Sequence, residues 1–304
     1  MRILLTGASG FIGSHIVNRL SLMGHQIFAV GRTIRQWPQT NIHGVVFDFL
    51  QDDPKTLVST LQCDLCLHFA WLVEHIGLEN NQLQSVLHEA YAQSSIRLIN
   101  EFFKAGGKRF VFAGSCYEYE GISGCCRENM QLNPYSEYAK AKLKVSKYLQ
   151  EIVAAGQSCL SARIFNVIGA GDLPGRLMGG ACDAIVQHRN FTCGVHPQWC
   201  FDFIDVDDVA IQISKLAFSS ACGIFNVGSG KFINAKSALK QLFARYQSSD
   251  KLCFLGKAED VFQQGMYADM TSTIKTIGKI KCKSIEQSLD ESIEYFRQIS
   301  LPAL

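Results

Sequence analysis

The stretch Arg2-Ile3-Leu4-Leu5-Thr6 reads as a buried strand, and it breaks at once into Gly7-Ala8-Ser9-Gly10-Phe11-Ile12-Gly13, three glycines spaced three apart with a helical pattern behind them. Few architectures tolerate a strand that becomes a helix across so little chain. Gly7 permits the tight turn, Gly10 lets backbone N–H groups approach a ligand, and Gly13 lets the helix lie close to the strand. The start of a helix carries positive partial charge, so the group this arrangement fits is a pyrophosphate, and the whole predicts a dinucleotide site.

Strand and helix patterns then alternate, which predicts parallel strands with covering helices. The first helix stops at Gly24, and strands follow at Gln26 to Val30, Val45 to Phe47 and Leu65 to Phe69. Asp53-Pro54 reads as N-cap and first residue of the helix between the last two. A long helical stretch from Asn81 to Lys104 closes at Gly106-Gly107, Arg109 to Ala113 gives a fifth strand, and a helix from Ser136 to Ala155 precedes a strand from Leu160 to Phe165. The fold class is α/β, a Rossmann-type doubly wound parallel sheet. From Gly169 the pattern loosens into a Gly-Pro-rich loop, a helix near Arg176 to His188, short strands, and helices near Val206 to Phe218, Ala235 to Tyr246 and Ser284 to Arg297. Residues 1–167 are therefore expected to bind the dinucleotide, with 201–228 returning to that unit. Residues 168–304 form mainly a smaller α/β lobe over the sheet's carboxyl edge, with substrate held between the two.

A chain of 304 residues with a formal net charge of +2 and scattered cations offers no basic patch for nucleic acid or a membrane surface. The first strand begins at Met1 and no apolar run is long enough to span a bilayer, so a cytoplasmic protein is expected. The twelve cysteines are spread along a chain large enough to need no staples, and are expected as free thiols. Cys63 and Cys66 have metal-pair spacing but fall partly within a strand and lack a second pair, and Cys125-Cys126 lies in a polar loop. No metal is expected.

Tyr138 and Lys142 form the only Tyr-x-x-x-Lys pair in the chain. Four residues apart on a helix, they project about 40° apart around the axis and share a face. An ammonium beside a phenol favours phenolate, so the pair is expected to lower the tyrosine pKa and give a proton donor or acceptor near neutral pH. Tyr135 is a rival, but its nearest lysine, Lys140, is rotated by about 140°. Ser115, just past the fifth strand, is placed to hydrogen-bond a substrate carbonyl. No Gly-x-Ser-x-Gly elbow surrounds it, which excludes a serine-hydrolase reading.

These residues resemble the extended short-chain dehydrogenase/reductase family, the group of nucleotide-sugar epimerases, dehydratases and ketoreductases, over nearly the whole chain. Thr6 to Gly13 looks like the family's cofactor loop, with Ser9, Gly10, Phe11 and Ile12 among its cofactor contacts, and Ser115, Tyr138 and Lys142 align with its catalytic triad. Arg163 to Gly169, Asp202 to Ala210 and Phe225 to Gly230 are similar to its later landmarks. The resemblance implies that Asp48 approaches the adenine with Phe49 beside it, Ala70 the middle of the cofactor, and Asn166 a substrate diphosphate, that Lys142 holds the nicotinamide ribose, and that the protein is a homodimer paired through its two long helices. Many relatives carry Arg before the Asp-Phe of the third landmark, where this chain has Phe201; Arg176 is the candidate replacement for that phosphate contact.

The second strand ends in Gly31-Arg32 with no acid to accept from ribose hydroxyls, and a guanidinium there suits a 2′-phosphate. NADPH is therefore expected over NAD as cofactor, with Arg35 a weaker second contact. Family dehydratases carry Asp-Glu directly after the catalytic Ser or Thr, whereas this chain has Cys116-Tyr117. The expected activity is an NADPH-dependent ketoreductase acting on a nucleotide-activated 4-keto-6-deoxy sugar. An NAD-dependent nucleotide-sugar 4-epimerase is the alternative, and a non-catalytic dinucleotide sensor or scaffold the second.

Overall fold

The computed structural model describes residues 1–33, 36–71, 81–255 and 264–300. In chain order the first half comprises β1 (Arg2–Thr6), α1 (Phe11–Leu22), β2 (Gln26–Gly31), β3 (Ile42–Val46), α2 (Pro54–Leu61), β4 (Leu65–His68), α3 (Asn81–Lys104), β5 (Arg109–Ser115), β6 (Gly124–Cys126), α4 (Glu137–Ala154) and β7 (Cys159–Ile164). The second half comprises β8 (Asn166–Ile168), α5 (Leu177–Val186), β9 (Phe191–Cys193), β10 (Trp199–Phe201), β11 (Phe203–Asp205), α6 (Val206–Ala217), β12 (Gly223–Val227), β13 (Ile233–Asn234), α7 (Ala235–Arg245), β14 (Leu252–Phe254), β15 (Gln264–Ala268), α8 (Thr271–Ile277) and α9 (Ile285–Ser300).

Seven strands form one sheet in the order β12-β7-β5-β4-β1-β2-β3, and every pairing in it is parallel. Period-two alternation divides each strand between two cores. Ile3 and Leu5 of β1 face one layer with Ile16, Val17 and Leu20 of α1 and Val209, Ile213 and Leu216 of α6. Leu4 faces the other, with Leu57 of α2, Leu98 and Phe102 of α3, and Val145 and Leu149 of α4. The chain winds outward in both directions from β1 and β4, so the crevice expected of such sheets opens at their carboxyl ends.

Capping follows the sequence closely. Asp53 accepts the Lys55 N–H with Pro54 behind it, Ser136 accepts the Ala139 N–H, and Asp205 accepts the Asp207 N–H. Two sequence readings move. β3 begins at Ile42 rather than Val45, because Ile27 and Phe28 of β2 pair with Ile42 and His43 despite the polar residues there. Cys125-Cys126 is strand rather than loop, paired with Tyr267 and Ala268 of β15, a partner far too distant in sequence to be read locally.

The remaining elements build a third core from α5, α7 and α9, with Met178, Leu239, Phe243, Ile293 and Phe296 buried in it. A small cluster of Cys116, Tyr119, Cys126, Phe165 and Ala268 lies where β6 and β15 meet the end of the main sheet. All twelve cysteines are free thiols. Among the described residues no helix is long and apolar enough to cross a membrane.

A Cβ at Gly13 would lie 2.0 Å from the Gly7 carbonyl oxygen, so α1 can seat on the turn only with hydrogen there. Gly13→Val is expected to destabilise the protein by about 1–3 kcal/mol, read as a lower urea midpoint. An unchanged midpoint would mean that the helix shifts off the turn freely.

Candidate active site

At the end of β1 the backbone of the turn meets the end of β4. Gly7 has φ +70°, and a Cβ there would stand 2.7 Å from the Phe69 carbonyl carbon and the Ala70 nitrogen. Thr6 Oγ1 accepts the N–H groups of Phe69 and Ala70 at 3.2 and 3.1 Å and lies 2.7 Å from His68 Nδ1. Ser95 donates to the Tyr91 carbonyl at 2.7 Å, so its oxygen accepts from His68 Nε2 at 2.9 Å and Thr6 donates to Nδ1. Burial, with the charge of Lys142 added, lowers the His68 pKa to about 3. The imidazole is a neutral strut beneath the crevice. α1 starts from an extended Gly10 with no side-chain cap and no acid in its first turn, leaving the first-turn N–H groups at Phe11, Ile12 and Gly13 without intrahelical acceptors. This glycine cradle and uncapped, acid-free helix start fit a dinucleotide pyrophosphate.

Further along the same edge the Phe47 N–H donates to the Gly31 carbonyl at 3.0 Å, which sets Arg32 and Asp48 on neighbouring strand ends. Arg32 is exposed and makes no ion pair with the described residues. Asp48 closes its own turn, accepting from the Leu50 N–H at 2.9 Å. The Phe49 ring is buried between Phe47 and His68. Ser9 lies beside Gly31. Arg35 lies outside the described residues.

Ser115, Tyr138 and Lys142 come together across β5 and α4. Ser115 is the last residue of β5 rather than beyond it; its hydroxyl accepts the Tyr117 N–H at 3.2 Å. Lys142 is buried and donates to the Ala113 carbonyl at 2.9 Å. Its ammonium also lies 3.9 Å from the centre of the Trp71 ring and 5.8 Å from that of Tyr138. Tyr135 is exposed and precedes the helix, while Lys140 pairs with Glu137 at 2.7 Å, so the rival pair does not form.

The expected lowering of the Tyr138 pKa is overturned. Burial pushes the phenol well above the ordinary tyrosine value, an effect the neighbouring Ser115 hydroxyl opposes. Burial lowers the Lys142 pKa to about 7, against the charge of Glu118. Helix spacing put the two side chains on one face, but Lys142 is buried and Tyr138 half-buried, and desolvation disfavours each charged form more than their proximity helps. In this state the Tyr138 phenol keeps its proton.

On the substrate side, Asn166 opens β8 and gives its side-chain N–H to the Asp202 carbonyl at 3.4 Å. Arg176 is the N-cap of α5. Its guanidinium donates to the buried Asp172 at 3.0 Å and stands 5.5 Å from the centre of the Phe11 ring, over the start of α1. Phe201 packs between Trp199 and Phe203.

Three features were not found from the sequence. Glu118, fully buried, accepts the Ser115 N–H at 3.0 Å and the Arg163 guanidinium at 2.8 Å, completing a capping box around the short helix that follows β5. Its signature, Ser115-x-x-Glu118, was readable. Trp71 donates to His88 Nδ1 at 3.2 Å, and both rings stand edge-on to Tyr138. No local signal links Trp71 to α3. Asp202, fully buried, gathers the N–H groups of Ser229, Gly230 and Ala268, tying the second unit to the end of the sheet.

The model of the NAD dependent epimerase/dehydratase family matches residues 3–228. A dTDP-6-deoxy-L-talose 4-dehydrogenase (NAD(+)) of Aggregatibacter actinomycetemcomitans is 24% identical over 81% of this chain and 91% of its own length. A dTDP-6-deoxy-L-talose 4-dehydrogenase (NAD(P)(+)) of Kitasatospora kifunensis is 27% identical over 79% of this chain and 78% of its own. Among solved structures, a UDP-glucose 4-epimerase of Stenotrophomonas maltophila, with bound NAD and formylated UDP-arabinopyranose, superposes with a TM-score of 0.85 at 20% identity, covering 99% of both chains.

Removing Glu118 strands a buried guanidinium. Glu118→Ala is expected to cost about 3–5 kcal/mol in urea unfolding, more than Glu118→Gln, whose amide oxygen can still accept from one of the two donors while its NH2 faces the other. Equal costs for the two would show that the charge and not the hydrogen bonds carries the contribution.

Proposed function

The chain belongs to the NAD dependent epimerase/dehydratase family and is an NAD(P)-dependent enzyme of the extended short-chain dehydrogenase/reductase type; from that premise we propose that it is an NADPH-dependent reductase of a nucleotide-activated 4-keto-6-deoxy sugar. The observation that carries this reading is the meeting of the Tyr138 phenol with Ser115 at the end of β5 and with Lys142, whose ammonium lies 5.8 Å from the centre of the phenol ring; the upward direction of the phenol pKa supports it. Carbonyl reduction consumes a proton, whereas an oxidation-first epimerisation must begin by accepting one. The talose 4-dehydrogenase relatives, which span most of this chain, lend the substrate class.

Bound NADPH would supply the hydride. Tyr138 delivers its proton to the carbonyl oxygen, and Ser115 donates a hydrogen bond to the same oxygen as charge develops there. Lys142 offers an ammonium for ribose hydroxyls and stabilises the phenolate left behind. Gly7, Ser9, Gly10, Phe11, Ile12, Gly13 and Ala70 line the path of the dinucleotide, with Asp48 and Phe49 at its adenine end. Asn166 and Arg176 take the substrate's diphosphate. Glu118 is not free to act as an elimination base, because both oxygens serve Ser115 and Arg163, which argues against dehydration. Arg32, exposed and without an ion pair among the described residues, supports the phosphorylated cofactor. In the same reading residues 1–167 with 201–228 bind the cofactor, 168–304 mainly bind substrate, and the enzyme is a cytoplasmic homodimer paired through α3 and α4.

Incubation with 4-keto sugar nucleotides is expected to consume NADPH absorbance, and Tyr138→Phe to lose at least about 100-fold in kcat while the NADPH Kd stays unchanged. Interconversion of two sugars without net absorbance change would establish an epimerase instead, and binding without turnover a sensor. Arg32→Asp is expected to weaken NADPH at least about tenfold relative to NADH; an unaltered ratio removes Arg32 from cofactor choice.

A further inference from the structure

His15, one turn into α1, points both ring nitrogens at groups that can only accept. Nδ1 lies 2.6 Å from Asp207 Oδ1 and Nε2 2.9 Å from the Ala170 carbonyl oxygen. A neutral imidazole has one N–H and satisfies one of these contacts; only the imidazolium satisfies both. Asp207 is itself held ionised by His15 and by Lys283, whose ammonium lies 3.0 Å away. Lys283 also spans Asp205 of β11 at 3.3 Å and Glu291 of α9 at 2.6 Å, so these acids are balanced by a lysine.

The Ala170 carbonyl belongs to the loop that delivers Arg176. Gly171 lies against the Phe11 ring and His15, Asp172 anchors Arg176 at 3.0 Å, and the guanidinium reaches over Phe11. Thus one ring on the cofactor helix holds the seat of the candidate phosphate contact. We infer that His15 is a positioning residue whose protonated ring pins the loop 169–175 onto α1 and so sets Arg176 for the substrate's diphosphate. The role assigned to Arg176 rests on the function proposed above; the pin does not.

Loss of the proton has a defined consequence. The remaining N–H stays with the carboxylate, the stronger acceptor, and the bare Nε2 then faces the Ala170 oxygen at 2.9 Å, lone pair against lone pair. Burial alone would lower the His15 pKa, but the hydrogen bond and charge of Asp207, the Ala170 carbonyl and the charge of Asp205 together raise it above 6.5. The other charges nearby are Lys283, Glu291 and, across Phe11, Arg176. A raised folded-state value means that the contribution is complete below the ordinary 6.5 and is lost as pH rises through the folded-state pKa. The loop is released on the alkaline side.

Hydrogen–deuterium exchange of peptides covering 169–176 in the unliganded enzyme, corrected for intrinsic rates between pH 6 and 9, tests the pin. In the wild type, protection is expected to fall above the His15 pKa. In His15→Phe it is expected to be low and flat throughout, and in Asp207→Asn its loss should begin at lower pH. Over the same interval the wild-type KM for the sugar nucleotide should rise about five-fold, the worth of one net hydrogen bond, with kcat and the NADPH Kd constant, and His15→Phe should abolish that rise. Protection in the wild type that is independent of pH, or a KM profile shared with His15→Phe, overturns the inference. If exchange responds as expected and no keto sugar is reduced, the proposed activity falls and the pin stands.

Discussion

Everything at this site is built outward from a backbone collision that has been avoided. Where β1 ends, the turn at Gly7 touches the end of β4 so closely that a single added carbon would stand 2.7 Å from two of its backbone atoms. The Thr6 hydroxyl stitches the same two ends together through the N–H groups of Phe69 and Ala70. This closeness allows α1 to start directly above the point where the sheet winds in opposite directions. The uncapped first-turn N–H groups of α1 and the reach of Arg176 over Phe11 follow from it.

A second constraint is electrostatic. Five ionisable side chains around the end of β5, His68, Glu118, Tyr138, Lys142 and Arg163, have been drawn largely out of water, and each is managed differently. His68 is neutral and spends both nitrogens on hydroxyls. Glu118 and Arg163 neutralise one another beneath Ser115. Tyr138 keeps its proton. Lys142 is left with a carbonyl and aromatic faces, and its pKa falls to about 7. The outcome is a phenol that keeps its proton beside a poorly solvated cation.

Polar side chains tie the main sheet to the later elements of the chain. Asp202 collects three backbone N–H groups from the segment that follows β12 and from β15. Asn226 in β12 accepts from Tyr119 and donates to the carbonyls of Cys126 and Asp269. His15 joins α1 to Asp207 and to the loop before α5. The helix α1 and the loop before α5 are thus linked through one imidazole and through the Phe11 ring, which Gly171 and the Arg176 guanidinium face.

Much of this could be read from residue order alone, because it depends on periodicity and short-range chemistry. Alternating strand and helix patterns, Asp53-Pro54 and Ser136 as helix starts, the spaced glycines and the four-residue step from Tyr138 to Lys142 are local, and local geometry carried them into the fold. Ser115-x-x-Glu118 was equally local and was passed over. What the chain order could not reveal was where charge would be desolvated or which distant groups would meet. A phenol's pKa depends on how much water the surrounding layers exclude, so spacing alone led to the wrong sign for Tyr138. Trp71 meets His88, β6 meets β15, and His15 meets Asp207 across 192 residues, since such contacts are decided by how the helices and the second unit close over the sheet, and by nothing in their neighbours along the chain.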